Sequence, residues 1–347
     1  MSAGGGTLWI VGGAAIVGFA AIVCSLLIVV SYPWLKRYAL AKPNARSSHR
    51  TPTPQGGGIA VVAATVAAVG LAPTVGALGI AFDSQLAKII VAALIMAGLG
   101  AIDDIRPLPV VPRLLLQTIV VAGVIYTAPD ALRVVPTLPW WLERLLLLIG
   151  GLWFVNLVNF MDGIDWMTVV EVIPIAATFA AFGFLGALPS DAVVLALALG
   201  GAMIGFAYFN RPTAKLFLGD VGSLPIGLIL GFVLLLTAGG GHLAAAVLAP
   251  LYYLADATIT LFRRIVRGEP FWEAHRSHFY QRATDKGFST MGLIARVFAV
   301  NVGLGVLATL TVIVPGRTSA LAALAVGVIL VGWLLGAFTR GRPGDRQ

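Results

Sequence analysis

The sequence predicts an all-α protein, a bundle of helices that crosses a membrane many times. Of its 347 residues, 59% are hydrophobic and only 11% are charged, whereas soluble domains carry about 25% charged residues. Apolar stretches of roughly 20 residues, the length that a helix needs to cross the hydrocarbon core, recur along the whole chain. Residues 1–347 are therefore expected to form one integral membrane domain without a separate soluble domain.

Polar residues and Pro or Gly breaks divide the chain into eleven predicted spans. They are 8–31, 56–79, 86–102, 112–128, 143–159, 168–188, 192–209, 222–238, 243–261, 291–314 and 318–338. An odd number of spans places the two termini on opposite sides of the membrane.

The lysines and arginines choose between the two orientations, because basic residues concentrate in cytoplasmic loops. With the N-terminus outside, 19 of the 23 basic residues lie inside, and only Lys88, Arg133, Arg144 and Arg317 lie outside. This asymmetry predicts an external N-terminus and a cytosolic C-terminus. Topology then explains the net charge of +8, and nucleic-acid binding is not needed to account for it.

A pair of carboxylates ends the third span. Asp103 and Asp104 are adjacent in GAIDD, so they repel each other unless a cation or a proton lies between them. Mg²⁺ is commonly held by one or two carboxylates together with substrate phosphate oxygens. The pair favours a magnesium site for a diphosphate, and a solvated helix end paired with Arg106 is the alternative.

A second polar segment, NLVNFMDGID, follows the fifth span and contributes Asn156, Asn159, Asp162 and Asp165. Amides and carboxylates together suit sugar hydroxyls or the edge of a nucleobase. Asp162 and Asp165 are three residues apart and could share one helical face. The alternative is an ordinary turn.

A third segment, FNRPTAKLFLGDVGS, leads into the eighth span and contains Asn210, Lys215, Phe217 and Asp220. Its glycines permit close backbone approach, and the N–H groups at the start of the following helix favour an anion. The spacing of a P-loop is absent. The segment predicts a phosphate site, with a simple helix-entry loop as the alternative.

The longest inside loop, RRIVRGEPFWEAHRSHFYQRATDKG, combines Arg264 and Arg276 with His275 and His278. Arginine and histidine at a membrane surface suit diphosphate or lipid phosphate, and the two histidines could point the same way from a helical turn. Zinc ligation and a polybasic membrane anchor are the alternatives. Earlier in the chain, the glycine run 56–58 predicts close packing between helices.

In this order, the blocks HRTPTPQGGG, GAIDD, NFMDGID, NRPTAKLFLGDVGS and RRIVRGEPFWEAHRSHFYQ resemble the polyprenyl-phosphate N-acetylhexosamine-1-phosphate transferases, the superfamily of MraY and the WecA-type enzymes. The resemblance extends from about residue 43 to residue 281. PNARSSH and AHRSHFYQ are most similar to the subgroup that starts O-antigen or other surface-polysaccharide synthesis from UDP-FucNAc or UDP-QuiNAc.

The resemblance implies transfer of a sugar 1-phosphate from a UDP-HexNAc donor to undecaprenyl phosphate, with release of UMP, at the cytosolic face of the bacterial inner membrane. It implies Mg²⁺, with Mn²⁺ as an alternative ion. Asp220 would bind the metal, and Asp103 and Asp104 would assist it or deprotonate the lipid phosphate. The residues that match nucleotide-binding positions are Asn159, Asp162, Asp165, Asn210 and Phe217, the last of which would stack on uracil. The active-site loops are expected near 32–55, 103–111, 159–167, 210–221 and 262–290.

Some residues depart from the family pattern and bear on sugar preference. Trp166 occupies the usual glycine of DGxDG, Gln55 replaces a common arginine, and Tyr280 and Gln281 replace the later histidines of HxHH, whose first histidine is matched by His278. The competing function is a transporter or flippase of a lipid-linked or anionic solute. That function predicts charges along a path within the spans, whereas the charges of this sequence collect at one surface.

Overall fold

The computed structural model describes residues 3–41, 52–75, 84–129, 131–270 and 275–341. The first predicted active-site loop, 32–55, is therefore described only in part, because residues 42–51 lie outside these ranges. Within them the chain forms a bundle of α-helices with one small antiparallel sheet.

The helices are α1 Ala3–Tyr38, α2 Gly57–Val75, α3 Ser84–Ile105, α4 Val110–Thr127, α5 Trp140–Met161, α6 Met167–Phe184, α7 Ser190–Asn210, α8 Asp220–Gly239, α9 Leu243–Leu248, α10 Leu251–Val266, α11 Phe279–Asp285, α12 Thr290–Ile313 and α13 Arg317–Arg340. The two strands are β1 Leu40–Ala41 and β2 Thr53–Pro54, which pair in register Leu40 with Pro54.

Ten of the described helices are long and apolar enough to cross a membrane, which confirms the predicted polytopic bundle. The ninth predicted span, 243–261, is wrong as a continuous helix. Its residues form α9 and the first part of α10, which meet at Pro250. Proline lacks the N–H group that a helix interior requires and its ring clashes with the preceding turn, so the apolar run continues while the helix does not.

Close helix packing sets the bundle interior. α7 packs against α1, α2 and α6, while α8 packs against α3 and α5. A Cβ added to Gly58 of α2 would lie 2.3 Å from the Cα of Gly222 in α8, and one added to Gly57 would lie 2.5 Å from the ring of Phe206. The close packing predicted for the glycine run is therefore confirmed.

The described motif-bearing segments meet at one end of the bundle. Gln55, after β2, forms an isolated bridge with Phe217, and its Nε2 donates a 3.2 Å hydrogen bond to the backbone oxygen of Asp104. The longest predicted inside loop, residues 263–287, is called the basic loop. Its Tyr280 hydroxyl donates to the backbone oxygen of Phe160 at 3.2 Å. Segments far apart in the sequence thus form one polar surface.

At the other end of the bundle, Glu143 organises the connection between α4 and α5. Its carboxylate accepts hydrogen bonds of 2.7 Å from the backbone N–H groups of Val134 and Val135 and pairs with Arg133. The described partners of this buried carboxylate all lie in the adjoining connection. Glu143 therefore stabilises the fold.

Candidate active site

Asp104 closes the N-terminal end of α8. Its Oδ1 accepts from the backbone N–H of Asp220 at 3.0 Å, and its Oδ2 accepts from that of Val221 at 3.1 Å. Gly219 precedes the helix with φ +78°, and a Cβ there would lie 2.6 Å from the Asp104 Oδ2. An anion was predicted at this helix end, and within the protein that anion is the Asp104 carboxylate.

Asp103 turns toward the start of α4. It accepts a 2.6 Å hydrogen bond from the backbone N–H of Leu108 and forms a 2.9 Å ion pair with Arg113. The alternative prediction named Arg106, but Arg113 is the partner. The Asp103 carboxyl group also lies within hydrogen-bonding reach of that of Asp220.

Asp220 is the first residue of α8 and is held from α5. Asn159 Nδ2 lies 2.7 Å from the Asp220 Oδ1 and 2.8 Å from the Ser223 hydroxyl, so the amide fixes the carboxylate against the helix. The structure therefore brings together Asp103, Asp104, Asp220 and Asn159, as the sequence predicted.

The carboxylate cluster fits a divalent cation in one specific way. Among the described residues, no three His, Cys, Asp or Glu side chains already form a metal-binding group. However, Mg²⁺ needs only one or two protein carboxylates when substrate phosphates supply other ligands. Asp103 and Asp220 lie close enough to hydrogen-bond, so two ionised carboxylates here would repel each other unless a cation or a proton lay between them.

The DGID segment forms a turn between α5 and α6, so the prediction that Asp162 and Asp165 share a helical face is wrong. Asp162 accepts a 2.5 Å hydrogen bond from the Thr168 hydroxyl, and burial raises the pKa of this carboxyl to about 6. Asp165 accepts from the backbone N–H of Ala214 at 2.9 Å. The turn is thereby joined to the loop between α7 and α8.

Trp166 has a left-handed backbone conformation with φ +64°. Glycine adopts this region without a steric cost, which explains why glycine is usual at this position of the motif. A tryptophan there costs about 1–3 kcal/mol, and two contacts hold it in place. Its backbone N–H donates to Asn210 Oδ1 at 2.7 Å, and its indole N–H donates to the Ala207 oxygen at 2.6 Å.

Two of the predicted site amides, Asn156 and Asn210, do not hydrogen-bond to the carboxylate cluster. Buried Asn210 holds the Trp166 backbone with its oxygen and donates to the Leu216 oxygen at 2.9 Å, so it joins two site loops. Asn156 donates to Gln117 of α4 at 2.8 Å and lies one helical turn deeper in the bundle than Asn159. These contacts are positional.

Lys215 and Phe217 lie on the loop that precedes α8. The Lys215 side chain is exposed, with its ammonium 5.8 Å from the ring centre of Tyr208. Phe217 continues the small sheet, because its N–H donates to the Pro54 oxygen at 2.8 Å and its own oxygen accepts from Gly57 at 2.9 Å. Phe217 is partly exposed and lies three residues before Asp220, the first residue of α8.

The arginines of the basic loop have partners inside the loop. Buried Arg264 pairs with Glu269 at 2.9 Å and donates to the Pro270 oxygen at 2.7 Å. Arg276 forms a 3.1 Å ion pair with Asp285. Among the described cations of this loop, Arg264 therefore stabilises the loop start, and Arg276 the end of α11.

His275 and His278 stack with ring centres 5.0 Å apart. The rings thus lie together, but the predicted helical turn is wrong, because residues 275–278 are not helical. Burial lowers the pKa of His275 to about 4, and the positive charges of His278 and Arg264 add to this effect. The ring is therefore neutral at pH 7. Its Nδ1 lies 2.8 Å from the Ser277 hydroxyl oxygen and 3.4 Å from the Ser277 backbone nitrogen.

Asp256 of α10 is not among the site residues predicted from the sequence. It is 0% exposed and accepts hydrogen bonds from the backbone N–H groups of Phe279 at 3.0 Å and Tyr280 at 3.2 Å. His278 Nδ1 lies 3.2 Å from its Oδ1. The signal that could have found it is an isolated acid within the apolar run YYLADATITL, because such residues are costly in a membrane and tend to be functional.

An apolar cavity of about 310 Å³ lies between α4, α5, α8, α9 and α10. Phe154, Val155, Phe232 and Leu254 contribute to its lining. The first two lie on α5, about one turn below Asn159. The lining extends from Val155 toward the other end of the bundle, where it includes Val134 and Leu243.

The fold and the site together define a class, a multi-pass membrane protein with a carboxylate-rich and histidine-rich surface at one end of its helices. Residues 86–238 match the family model described as glycosyl transferase family 4. This match and the relatives below are similar to the chain in the way that the polyprenyl-phosphate N-acetylhexosamine-1-phosphate transferase motifs predicted. The resemblance predicted from the motifs is therefore confirmed.

Three relatives illustrate the similarity. The chain is 29% identical to the decaprenyl-phosphate N-acetylglucosaminephosphotransferase of Mycobacterium leprae, over 75% of this chain and 73% of the relative. It is 28% identical to a Bacillus subtilis protein named "Probable undecaprenyl-phosphate N-acetylglucosaminyl 1-phosphate transferase", over 78% of each. It is 32% identical to the phospho-N-acetylmuramoyl-pentapeptide-transferase of Gluconacetobacter diazotrophicus, over 45% of this chain and 47% of the relative.

Proposed function

We propose that this protein transfers an N-acetylhexosamine 1-phosphate from a UDP-sugar to undecaprenyl phosphate and releases UMP. The observation that carries the proposal is the convergence of Asp103, Asp104 and Asp220 at the α8 N-terminus, with Asn159 on Asp220. The relatives named as prenyl-phosphate N-acetylglucosamine-phosphate transferases support it. Within this reaction class, a UDP-FucNAc or UDP-QuiNAc donor and a role in starting O-antigen synthesis rest on the sequence motifs.

The chemistry joins two anions. An oxygen of the lipid phosphate attacks the β-phosphorus of the UDP-sugar, the bond between that phosphorus and the bridging oxygen breaks, and UMP leaves with the bridging oxygen. The product carries the sugar on a prenyl diphosphate. Positioning and charge neutralisation dominate such transfers, so a site that gathers cation-binding carboxylates with hydrogen-bond donors has the parts required.

A bound Mg²⁺, or Mn²⁺ in its place, would neutralise the charge on the diphosphate. Asp220 and Asp103 would hold it, because these two carboxyl groups lie side by side. Asp104 would act mainly by holding the α8 N-terminus, since both its oxygens accept helix N–H groups.

The other residues provide binding surfaces. The partly exposed Phe217 ring is suited to stack on uracil, and the turn that contains Asp162 and Asp165 is suited to ribose or sugar hydroxyls. Lys215, Arg276 and the neutral His275 would donate to phosphate oxygens. Membrane lipid surrounds the bundle, and the cavity below Asn159 is suited to the first isoprene units of the acceptor.

Purified protein with undecaprenyl phosphate, Mg²⁺ and a panel of UDP-HexNAc donors is expected to release UMP and form a lipid-linked sugar diphosphate in equal amounts. Chelation with EDTA should abolish both products, and added Mg²⁺ should restore them, because the carboxylates are themselves anionic and the bound cation supplies the charge that neutralises the diphosphate. UMP release is followed by chromatography and the lipid product by mass spectrometry. A transporter would form neither product from any donor, and that result would reject the proposal.

The polar end of the bundle is proposed to face the cytosol of a bacterial inner membrane, on the strength of the basic-residue asymmetry. The only cysteine, Cys24, is buried, so single cysteines can be introduced with little background. Lys215→Cys and Asp285→Cys should resist an impermeant maleimide in intact spheroplasts and react after permeabilisation. Arg317→Cys, at the opposite end, should react in both. The reverse pattern would contradict the orientation.

A further inference from the structure

The Asp256 carboxylate binds three consecutive residues of the basic loop. Oδ1 accepts from the Phe279 N–H at 3.0 Å and lies 3.2 Å from the His278 Nδ1, while Oδ2 accepts from the Tyr280 N–H at 3.2 Å. A carboxylate only accepts, so the His278 Nδ1 carries the proton in this contact. One buried group therefore fixes the loop backbone and the orientation of one imidazole.

The contacts of Asp256 with its own helix are weaker. The Tyr252 hydroxyl lies 3.3 Å from Oδ2, and the Thr260 hydroxyl lies 3.4 Å from Oδ1. A buried carboxylate is costly unless it is well hydrogen-bonded. The shortest contacts come from the loop, so the charge at this position serves the loop more than it serves α10.

The effect of Asp256 extends beyond the residue that it touches. The His278 ring is buried between His275, with ring centres 5.0 Å apart, and Tyr280, at 5.7 Å. The Tyr280 hydroxyl in turn bonds the backbone of Phe160, just before the DGID turn. A shift of His278 would therefore displace both the more exposed His275 ring and the attachment of the loop to the carboxylate site.

We propose that Asp256 is a positioning residue which, through the buried His278, holds the more exposed His275 ring toward the phosphate oxygens of a substrate. This inference rests on the proposed function. The phosphate oxygens belong to the UDP-sugar or to the lipid acceptor, and the KM measured for each substrate tells the two apart. Asp256 itself touches no substrate.

A double-mutant cycle tests the proposal, with kcat and both KM values measured for Asp256→Asn, His278→Ala and the double variant. Each single variant should lose about 10- to 100-fold in kcat/KM, as is usual when a group that orients a functional side chain is removed. If Asp256 acts through His278, the double variant should lie within about 3-fold of His278→Ala, because coupled residues are not additive. The matched controls Tyr252→Phe and Thr260→Val remove only the contacts from α10 and should keep normal kinetics.

Additive losses in the cycle, with all variants folded in thermal unfolding, would overturn the proposal and leave Asp256 with a purely structural role. A rise in KM for the UDP-sugar alone assigns the stack to the diphosphate, and a rise for the lipid alone assigns it to the acceptor phosphate. Unchanged kinetics in Asp256→Asn would also overturn the proposal.

Hydrogen exchange separates failure of this inference from failure of the proposed function. If the wild-type protein transfers no sugar phosphate from any donor, the proposed function fails, and amide exchange of residues 279 and 280 decides whether Asp256 holds the loop. Asp256→Asn should accelerate that exchange well beyond Tyr252→Phe. Equal exchange in the two variants would reject the positioning role.

Discussion

Replacement of Asp220 by Asn is expected to reduce turnover by about 100-fold or more, which is the scale of losing one preorganised electrostatic contact in an active site. The amide keeps the shape of the side chain and can still accept from Asn159, 2.7 Å away. The substitution removes the ionisable carboxyl group that lies beside Asp103. Turnover is measured as UMP release at saturating Mg²⁺, and Asp103→Asn should behave in the same way.

The same substitution should leave the protein as stable as the wild type or more so, because it removes repulsion between like charges. Thermal unfolding in detergent measures this. Asp191→Asn, in the first turn of α7 at the opposite end of the bundle, is the matched control and should keep normal turnover. Full activity of Asp220→Asn would mean that the cation-binding carboxylate has been misassigned.

Replacement of Gly100 by Ala is expected to abolish measurable activity. The added Cβ would lie 2.2 Å from the backbone oxygen of Asp220 and 2.5 Å from the nitrogen of Val221. Both are main-chain atoms at the start of α8, so the two helices must separate, and Asp104 would lose its 3.0 and 3.1 Å hydrogen bonds there. Overpacking of this kind also costs about 1–3 kcal/mol in the free energy of unfolding.

Gly98→Ala is the matched control for this prediction, because it lies on the same helix and an added Cβ would meet nothing within 4 Å. Alanine is favoured over glycine in a helix by about 1 kcal/mol, so this variant should be active and at least as stable as the wild type. UMP release and detergent unfolding are measured for both variants. Equal behaviour of Gly98→Ala and Gly100→Ala would show that the α3 and α8 contact does not constrain the site.

The sequence predicted the spans well because a long apolar run in a membrane protein has few alternatives to a helix. It failed at Pro250, since the residues on both sides are apolar and hydropathy does not record a break in backbone hydrogen bonding. The helical face assigned to Asp162 and Asp165 failed for a related reason, because a spacing of three residues fits a turn as well as a helix.

The residues of the site could be predicted from the sequence better than their hydrogen-bond partners. Acids, amides and histidines collected at one end by topology alone, so Asp103, Asp220 and Asn159 could be placed together. The partners of Asp104 are backbone N–H groups, which carry no sequence signal. Asp256 was missed because its role depends on a loop more than 20 residues away, and the strain at Trp166 became visible only through its backbone angle.

The attachment of Asp104 to the start of α8 also has a consequence for biogenesis. The backbone groups that it holds lie 116 residues later in the chain, which a ribosome needs on the order of 10 seconds to add. During that interval α3 has already been synthesised, and its terminal carboxylates can contact only water and neighbouring residues of the chain. A chain that stalls before α8 would be inserted in the membrane but would lack the complete site. Under the proposed function, nucleotide binding therefore requires that all the helices from α3 to α8 have been inserted and have packed together.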